Sequence, residues 1–261
     1  MSASSPAPQA ATGTNTPGDA TGVDCLRVDL ACALRWAARY GLHEGVCNHF
    51  SVALPGRDDR FLLNPQGMHW DEITPDDLLV VDTEGKVIEG RGTAEPTAFY
   101  IHSRIHRAKP TARCVMHTHM PFATTLTVVE GARVEWISQN SLRYYHRIAY
   151  EDAYNGLALD DAEGDRLCGR LANADIVFLA NHGVLVTGPD VAMAFDDLYY
   201  LERTCMLQVM ALSTGKPLRS VRPHVALQTA QQMADCSVQA RLHLDALTRL
   251  LDRDHPAWRP V

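Results

Sequence analysis

The sequence predicts an α/β domain built around a mixed, largely antiparallel central sheet. Short apolar runs bounded by turn residues fill the middle of the chain. Amphipathic helical segments precede, interrupt and follow them, the pattern expected when helices cover a sheet. No strand–GxGxxG–helix unit and no Walker sequence is present, so a nucleotide-binding parallel sheet has no support.

The elements follow in order. Asp24 to Tyr40 reads as a helix, because Leu26, Leu30, Ala33, Leu34 and Ala37 recur at three- and four-residue steps, and Gly41 stops it. Asn48 to Leu54 alternates as a strand, Phe61 to Leu63 is a second, and Pro65-Gln66-Gly67 is a turn. Leu78 to Val81 is a strand that turns through Asp82–Lys86 into Val87-Ile88. Pro96 to Ala108 is a helix with Pro in its first turn, and Pro110 ends it. Cys114-Val115-Met116 starts the next strand, Pro121 to Val129 opens with a helical turn, and Val134 to Ile137 reads as a short strand. Asp160 to Asn173 is a helix, followed by the strand Ile176 to Ala180 and a hairpin return over Gly183 to Gly188. Asp190 to Thr214 is a long helix capped by Gly215, and Gln228 to Arg253 is the last.

Composition narrows the function classes. The chain has 261 residues, 46% of them hydrophobic and 21% charged, with a net charge of -7. This is ordinary for a globular protein with a real core. No basic run supports nucleic-acid binding, and no apolar stretch reaches the ~20 residues that span a membrane. The seven cysteines are widely spaced without a CxxC, as expected of reduced thiols. Residues 1–22, rich in Ala, Ser, Pro and Gly, read as a disordered tail without secretory features. The domain is expected over 23–261, with its C-terminal helix from about 226, and a cytoplasmic location follows by default.

The residues that can carry chemistry centre on His117-Thr118-His119. Side chains two apart on a strand share a face, so two imidazoles project together from its end. His182, in Ala180-Asn181-His182-Gly183, ends the second apolar run. Three His from two strand ends suit a divalent metal with an open position for substrate, although each is also compatible with an ordinary core or surface role. The Gly after His182 allows either a close backbone approach or a positive φ. His102 and His106 share a helix face but lack the Glu that a zinc-protease helix needs, and read as structural. Glu95 is either a plain cap of the Pro96 helix or a general base or fourth metal ligand. Gly45 to Ser51 can form a backbone-lined anion or carbonyl site. Arg143-Tyr144-Tyr145-His146-Arg147 either serves an anionic substrate or forms an amphipathic surface.

With these motifs in order, the chain resembles the class II aldolase/adducin family from about Asp24 to Leu218. The resemblance rests on Gly45–Ser51, Asn64-Pro65-Gln66-Gly67, Glu95 before a helix, Met116-His117-Thr118-His119, Ala180-Asn181-His182-Gly183 and the helix Ala194 to Glu202. It implies a three-layer α/β/α domain with a mostly antiparallel sheet, commonly in a homotetramer. It implies a divalent metal, usually Zn2+ with Fe2+, Mn2+ or Co2+ as alternatives, on His117, His119 and His182, with Glu95 as acid/base and as a ligand before substrate arrives. Asn48 and Gly67 would bind substrate, and Tyr145 would protonate a leaving oxygen. The expected reaction is aldolase-type C–C bond cleavage of a small hydroxy-carbonyl or hydroxy-acid substrate through a metal-stabilised enediolate. A decarboxylase, dehydratase or iron oxygenase using the same site is the alternative. A non-catalytic adducin-like interaction protein is the alternative of another class, and adducin-type members lack the metal His set that this chain keeps. Cys47 and Thr93-Ala94 depart from the sugar-phosphate members, which weakens a phosphate cradle and leaves a larger, flatter or carboxylated substrate for His49, Trp70 and Tyr144-Tyr145.

Overall fold

The computed structural model describes residues 17–57 and 59–259. Its frame is one eight-stranded sheet. The strands are β1 (His49–Ala53), β2 (Arg60–Leu63), β3 (Leu79–Asp82), β4 (Val87–Glu89), β5 (Cys114–Thr118), β6 (Ile148–Glu151), β7 (Ile176–Leu179) and β8 (Gly183–Gly188). They lie in the order β4-β3-β2-β1-β5-β8-β7-β6. Every neighbouring pair is antiparallel except β6 and β7.

Helices cover both faces. The alternation of each strand sends Phe50, Val52, Leu62, Cys114, Met116, Phe178, Val184 and Val186 to one side. There they pack with Leu30 and Leu34 of α1 (Pro17–Arg39), Leu126 of α3 (Pro121–Thr127), Phe195 and Leu198 of α5 (Val191–Leu212) and Leu244 of α7 (Ser237–Asp254). The opposite face carries α2 (Pro96–Ala108) and α4 (Asp161–Arg170). Its apolar residues fall into two groups. Ile101, Ile105, Val115, Leu167, Val177 and Leu185 form one, and Phe61, Leu63, Leu79, Val81 and Ala98 the other. Strand β1 lies between the strands of the two groups, and the buried residues it turns to this face, His49 and Ser51, are polar. This is the three-layer α/β/α architecture expected. No helix among the described residues is long and apolar enough to cross a membrane.

Three sequence expectations are corrected here. Helix α1 begins at Pro17, so residues 17–22 of the expected tail are helical, while residues 1–16 lie outside the described residues. Val134 to Ile137 is not a strand: Val134 N–H donates to Tyr150 Oη and Glu135 N–H to Gln208 Oε1, which takes its backbone out of any ladder. The strand of this region is β6, whose half-buried edge position gives only a weak alternation. The single last helix is two, α6 (Pro223–Gln232) and α7. The break carries an Asp235 side chain that accepts from the N–H and hydroxyl of Ser237 at the start of α7, a side-chain turn that competes with continued helix.

The Arg143–Arg147 segment is structural. Arg143 pairs with Asp196 at 2.6 Å and Asp197 at 3.2 Å, and Arg147 with Asp197 at 2.6 Å and Asp175 at 2.8 Å. Removing one partner of such a buried pair costs about 3–5 kcal/mol, so these guanidinium groups lock the segment to α5 and are not free for an anion. Trp70 and Tyr144 are fully buried, with Tyr144 Oη donating to the Asp197 carbonyl, and neither offers a face to a substrate.

Candidate metal centre

Antiparallel pairing places the start of β1, the end of β5 and the turn from β7 to β8 at one sheet edge. Strand β5 is the hub: His117 stands opposite His49 on one side and Leu185 on the other. His119 follows β5 and His182 follows β7. Each of the three histidines offers a ring nitrogen within 4.8 Å of the others, and the rings stand 4.8 to 5.0 Å apart.

The hydrogen bonds fix which nitrogens are available. His117 Nδ1 lies 3.0 Å from the Val184 carbonyl. His119 Nδ1 lies 2.6 Å from Glu44 Oε2. Both partners only accept, so both Nδ1 atoms carry the hydrogen and, in the neutral rings that ligation requires, both Nε2 atoms are bare. Those Nε2 atoms are 3.2 Å apart. Two facing lone pairs cannot hydrogen-bond, and the contact is repulsive unless a cation joins them. Two nitrogens bound tetrahedrally at 2.0–2.1 Å would stand about 3.3 Å apart, so the spacing fits a zinc-like ion. Glu44 and the Val184 carbonyl are the partners that orient metal-binding imidazoles and raise their basicity.

Burial keeps His117 and His182 neutral, as ligation requires. It acts first on His117, with the neighbouring His182, His49 and His119 second, and holds its pKa well below the ordinary value of 6.5. Burial and then His119 lower His182 to about 4.

Local packing holds the ligands. Gly183 has an ordinary backbone, and a Cβ there would meet the Thr118 carbonyl at 2.4 Å and His119 Cδ2 at 2.8 Å. Of the two roles open to this glycine, the close approach is the one used. Glu202 of α5 accepts from Phe122 N–H and Ala123 N–H, each at 2.8 Å, and pins the helix start just past His119. Asn48 sits at φ +75°, a region Asn tolerates. Its Oδ1 accepts from Glu44 N–H at 3.1 Å and His119 N–H at 3.3 Å, which leaves a buried Nδ2 donor without a partner.

The other expected residues divide. Gly67 lies in the turn whose Asn64 side chain donates to the Asn48 carbonyl and accepts from Phe50 N–H. A Cβ at Gly67 would meet nothing, and its need is the φ of +84°. Glu95 is the N-cap of α2, as one of its readings held: Oε2 accepts from Ala98 N–H at 2.8 Å and from Thr97 Oγ1–H. It stands 3.9 Å from His49 Nε2, beside the three-histidine group and outside it, so the fourth-ligand role is not met in this arrangement. Tyr145 is not at this edge. It lines a cavity of about 450 Å³ with Asp175, before β7, and Pro189, after β8, at the other end of those strands from His182. The tyrosine beside the centre is Tyr154, whose ring lies 6.3 Å from that of His182. Sequence reading missed Glu44 and Tyr154, since both sit in loops that no periodicity marks. The Asx-like pairing of Asn48 with Glu44 was the one available signal, a turn-forming Glu-Gly ahead of the Asn.

Comparison with known proteins identifies the family and the fold. The family described as Class II Aldolase and Adducin N-terminal domain matches residues 28–209. A protein of Caulobacter vibrioides, bearing only a provisional class 2 aldolase name, is 34% identical over 235 residues, 89% of this chain and 91% of its own. The crystal structure of an aldolase II superfamily protein from Pseudomonas syringae superposes with a TM-score of 0.83 at 32% identity, covering 92% of this chain and 96% of the other. An L-fuculose 1-phosphate aldolase from Glaciozyma antarctica shares the fold, with a TM-score of 0.82 at 22% identity over 95% and 97% of the two chains. Relatives also include the decarboxylase NovR of Streptomyces niveus, 29% identical over 80% of this chain and 77% of its own.

Two outcomes are expected. Gly183→Ala will push His119 off its position and weaken zinc binding by about 10- to 100-fold, read by competition with a chromophoric chelator; unchanged affinity would mean that the close approach does not hold the ligand. The second concerns acid stability of the metal-free protein. Below pH 6.5 the unfolded chain takes up protons that folded His106 refuses until about pH 4 and folded His49 until about pH 3, in both cases chiefly because of burial. Stability is therefore full above pH 6.5 and falls as the pH drops through this window, by up to about 1.4 kcal/mol per pH unit for each histidine. Urea unfolding at pH 7.5 and pH 5 measures this, and equal stabilities would contradict neutral buried rings.

Proposed function

Because the chain belongs to the class II aldolase and adducin family and converges three imidazoles beside a carboxylate, we propose that it is a divalent-metal-dependent lyase acting on a small hydroxy-carbonyl or hydroxy-acid substrate. The observation that carries this reading is the facing pair of bare nitrogens on His117 and His119, a contact that costs the fold energy and has a use only with a cation. Zn2+ suits three neutral nitrogens with a position left open. Held by His117, His119 and His182, it would supply a Lewis acid for the charge a carbonyl oxygen gains as the adjacent C–C bond breaks.

The chain's own residues supply the rest. Glu95 moves the proton at the substrate carbon. Its Oε2 is anchored by the first turn of α2, and its Oε1 has no hydrogen-bond partner among the described residues. Asn48 directs its spare Nδ2 hydrogens at a substrate oxygen. Tyr154, rather than Tyr145, is the tyrosine at hand for a leaving oxygen. The same groups suit loss of CO2 from a hydroxy acid, and the similarity to NovR favours including such acids among the substrates tried. We further propose a homotetramer, on the family resemblance, and a cytoplasmic location, on the free state of all seven cysteines.

Elemental analysis should find about one divalent metal per chain, lost in His117→Ala. Protein that holds none and gains none on dialysis against zinc would remove the enzyme reading and leave the adducin-like one. Glu95→Gln should keep the metal and the fold while losing on the order of 10²–10⁴-fold in turnover, followed with deuterium exchange at the substrate carbon. Full exchange in that variant would take Glu95 out of the proton-transfer role.

A further inference from the structure

A chain of hydrogen bonds runs behind the metal ligands, between the two apolar groups of the α2 face. His106 Nδ1 lies 3.1 Å from the Ala112 carbonyl, and His106 Nε2 2.7 Å from Ser51 Oγ. Ser51 Oγ lies 2.5 Å from His102 Nδ1, and His102 Nε2 2.7 Å from His49 Nδ1. His102 and Ser51 have no solvent exposure at all.

The closed end of this chain dictates every hydrogen in it. A carbonyl only accepts, so His106 Nδ1 carries its hydrogen and His106 Nε2, in a neutral ring, is bare. Ser51 must then donate its hydroxyl hydrogen to His106 and accept from His102 Nδ1–H. His102 Nε2 is thereby bare and accepts from His49 Nδ1–H. The last consequence falls on His49, whose Nε2 is left as a lone pair at the site. That nitrogen has no hydrogen-bond partner among the described residues. It is 3.9 Å from Glu95 Oε2, and its ring is 4.9 Å from that of His117. Burial keeps His102 and His106 neutral, and with Glu95 Oε2 at 3.9 Å no acceptor stands within hydrogen-bonding distance of His49 Nε2 to claim a second hydrogen.

We propose that His49 is a substrate-contacting residue whose bare Nε2 accepts a hydrogen bond from a substrate hydroxyl, and that His102, Ser51 and His106 are positioning residues that hold it in this tautomer. The specificity follows from chemistry. A carboxylate and a bare nitrogen are both acceptors, so the group that lies against them must donate. With the unpartnered Nδ2 of the neighbouring Asn48 as a donor, the site selects a substrate carrying a free hydroxyl next to an oxygen that accepts. An ether or a deoxy compound of the same shape leaves His49 unpaired and is rejected. The location of this substrate rests on the metal-centre reading; the tautomer does not.

The test has two arms. In metal-free protein labelled with 15N-histidine, long-range proton–nitrogen spectra should show His49 with hydrogen on Nδ1 and none on Nε2, and Ser51→Ala should leave His102 and His49 as tautomer mixtures. Hydrogen on His49 Nε2, or an unchanged His49 in Ser51→Ala, overturns the positioning chain. In zinc-loaded protein, glycolate should bind at least about tenfold more tightly than methoxyacetate, as expected when a buried acceptor loses its donor. His49→Leu, or His49→Gln if the first does not fold, should bring the two within about twofold at unchanged zinc content. Equal affinities in the unaltered protein overturn the substrate contact. Zinc content is measured first, so failure of the metal reading is seen separately, and the spectra of the metal-free protein still decide the tautomer.

Discussion

The pairing of β5 on both sides is the constraint on which the rest of the molecule depends. Its antiparallel neighbours β1 and β8 bring their opposite ends to the place where β5 finishes. The same edge receives the end of β7 and, through the one parallel pair, the end of β6. Histidines distant in the chain are thereby delivered by strands and the tight turn between two of them, and strands hold a constellation more narrowly than free loops. The same geometry explains the tyrosines. Tyr154 follows the end of β6 and reaches His182, while Tyr145 precedes the start of β6 and is carried to the far edge.

The second constraint is electrostatic. Bare imidazole nitrogens crowded into a buried edge repel one another, and burial keeps protons off His117 and His182. The fold accepts this because three of the four rings are tied elsewhere: His117 to a carbonyl, His119 to Glu44, and His49 to the chain that ends at Ala112. The polar stripe along β1 interrupts the apolar packing of the α2 face. Hydrogen bonding among its members removes the penalty that unpaired buried groups would bring. Asn48 Nδ2 is left out of this accounting, a buried donor without a partner beside the histidines.

Most of the fold was legible because its strands and helices carry clean periodicities. The exceptions have local causes. Val134 to Ile137 has strand-forming residues, but side chains from β6 and α5 claim its backbone donors. The α6–α7 break hides in a continuous apolar pattern because a turn of Asp235 and Ser237 interrupts it without Gly or Pro. The site was legible where its residues end strands: His117, His119 and His182 converge as spacing and the family resemblance together indicated. It was illegible in the loops. Arg143 and Arg147 look like an anion site in one dimension, and only their partners on α5 and before β7 show them to be neutralised.

What the sequence determined by itself is therefore the alternation that puts His117 and His119 on one face, the glycine after His182, and the order of motifs that places the chain in its family. These are short-range properties, set by backbone geometry and residue type. Only the tertiary structure decided which nitrogen of His117, His119 and His49 is free, that Glu95 caps α2 beside the histidines, that Glu44 and Tyr154 join the edge and Tyr145 leaves it, and that His49, His102, Ser51 and His106 form one directed chain. Most of these depend on partners distant in the chain or on the direction of a paired strand. Hydrogen-bond direction is fixed by what a donor meets in space, which the order of residues along a chain does not state.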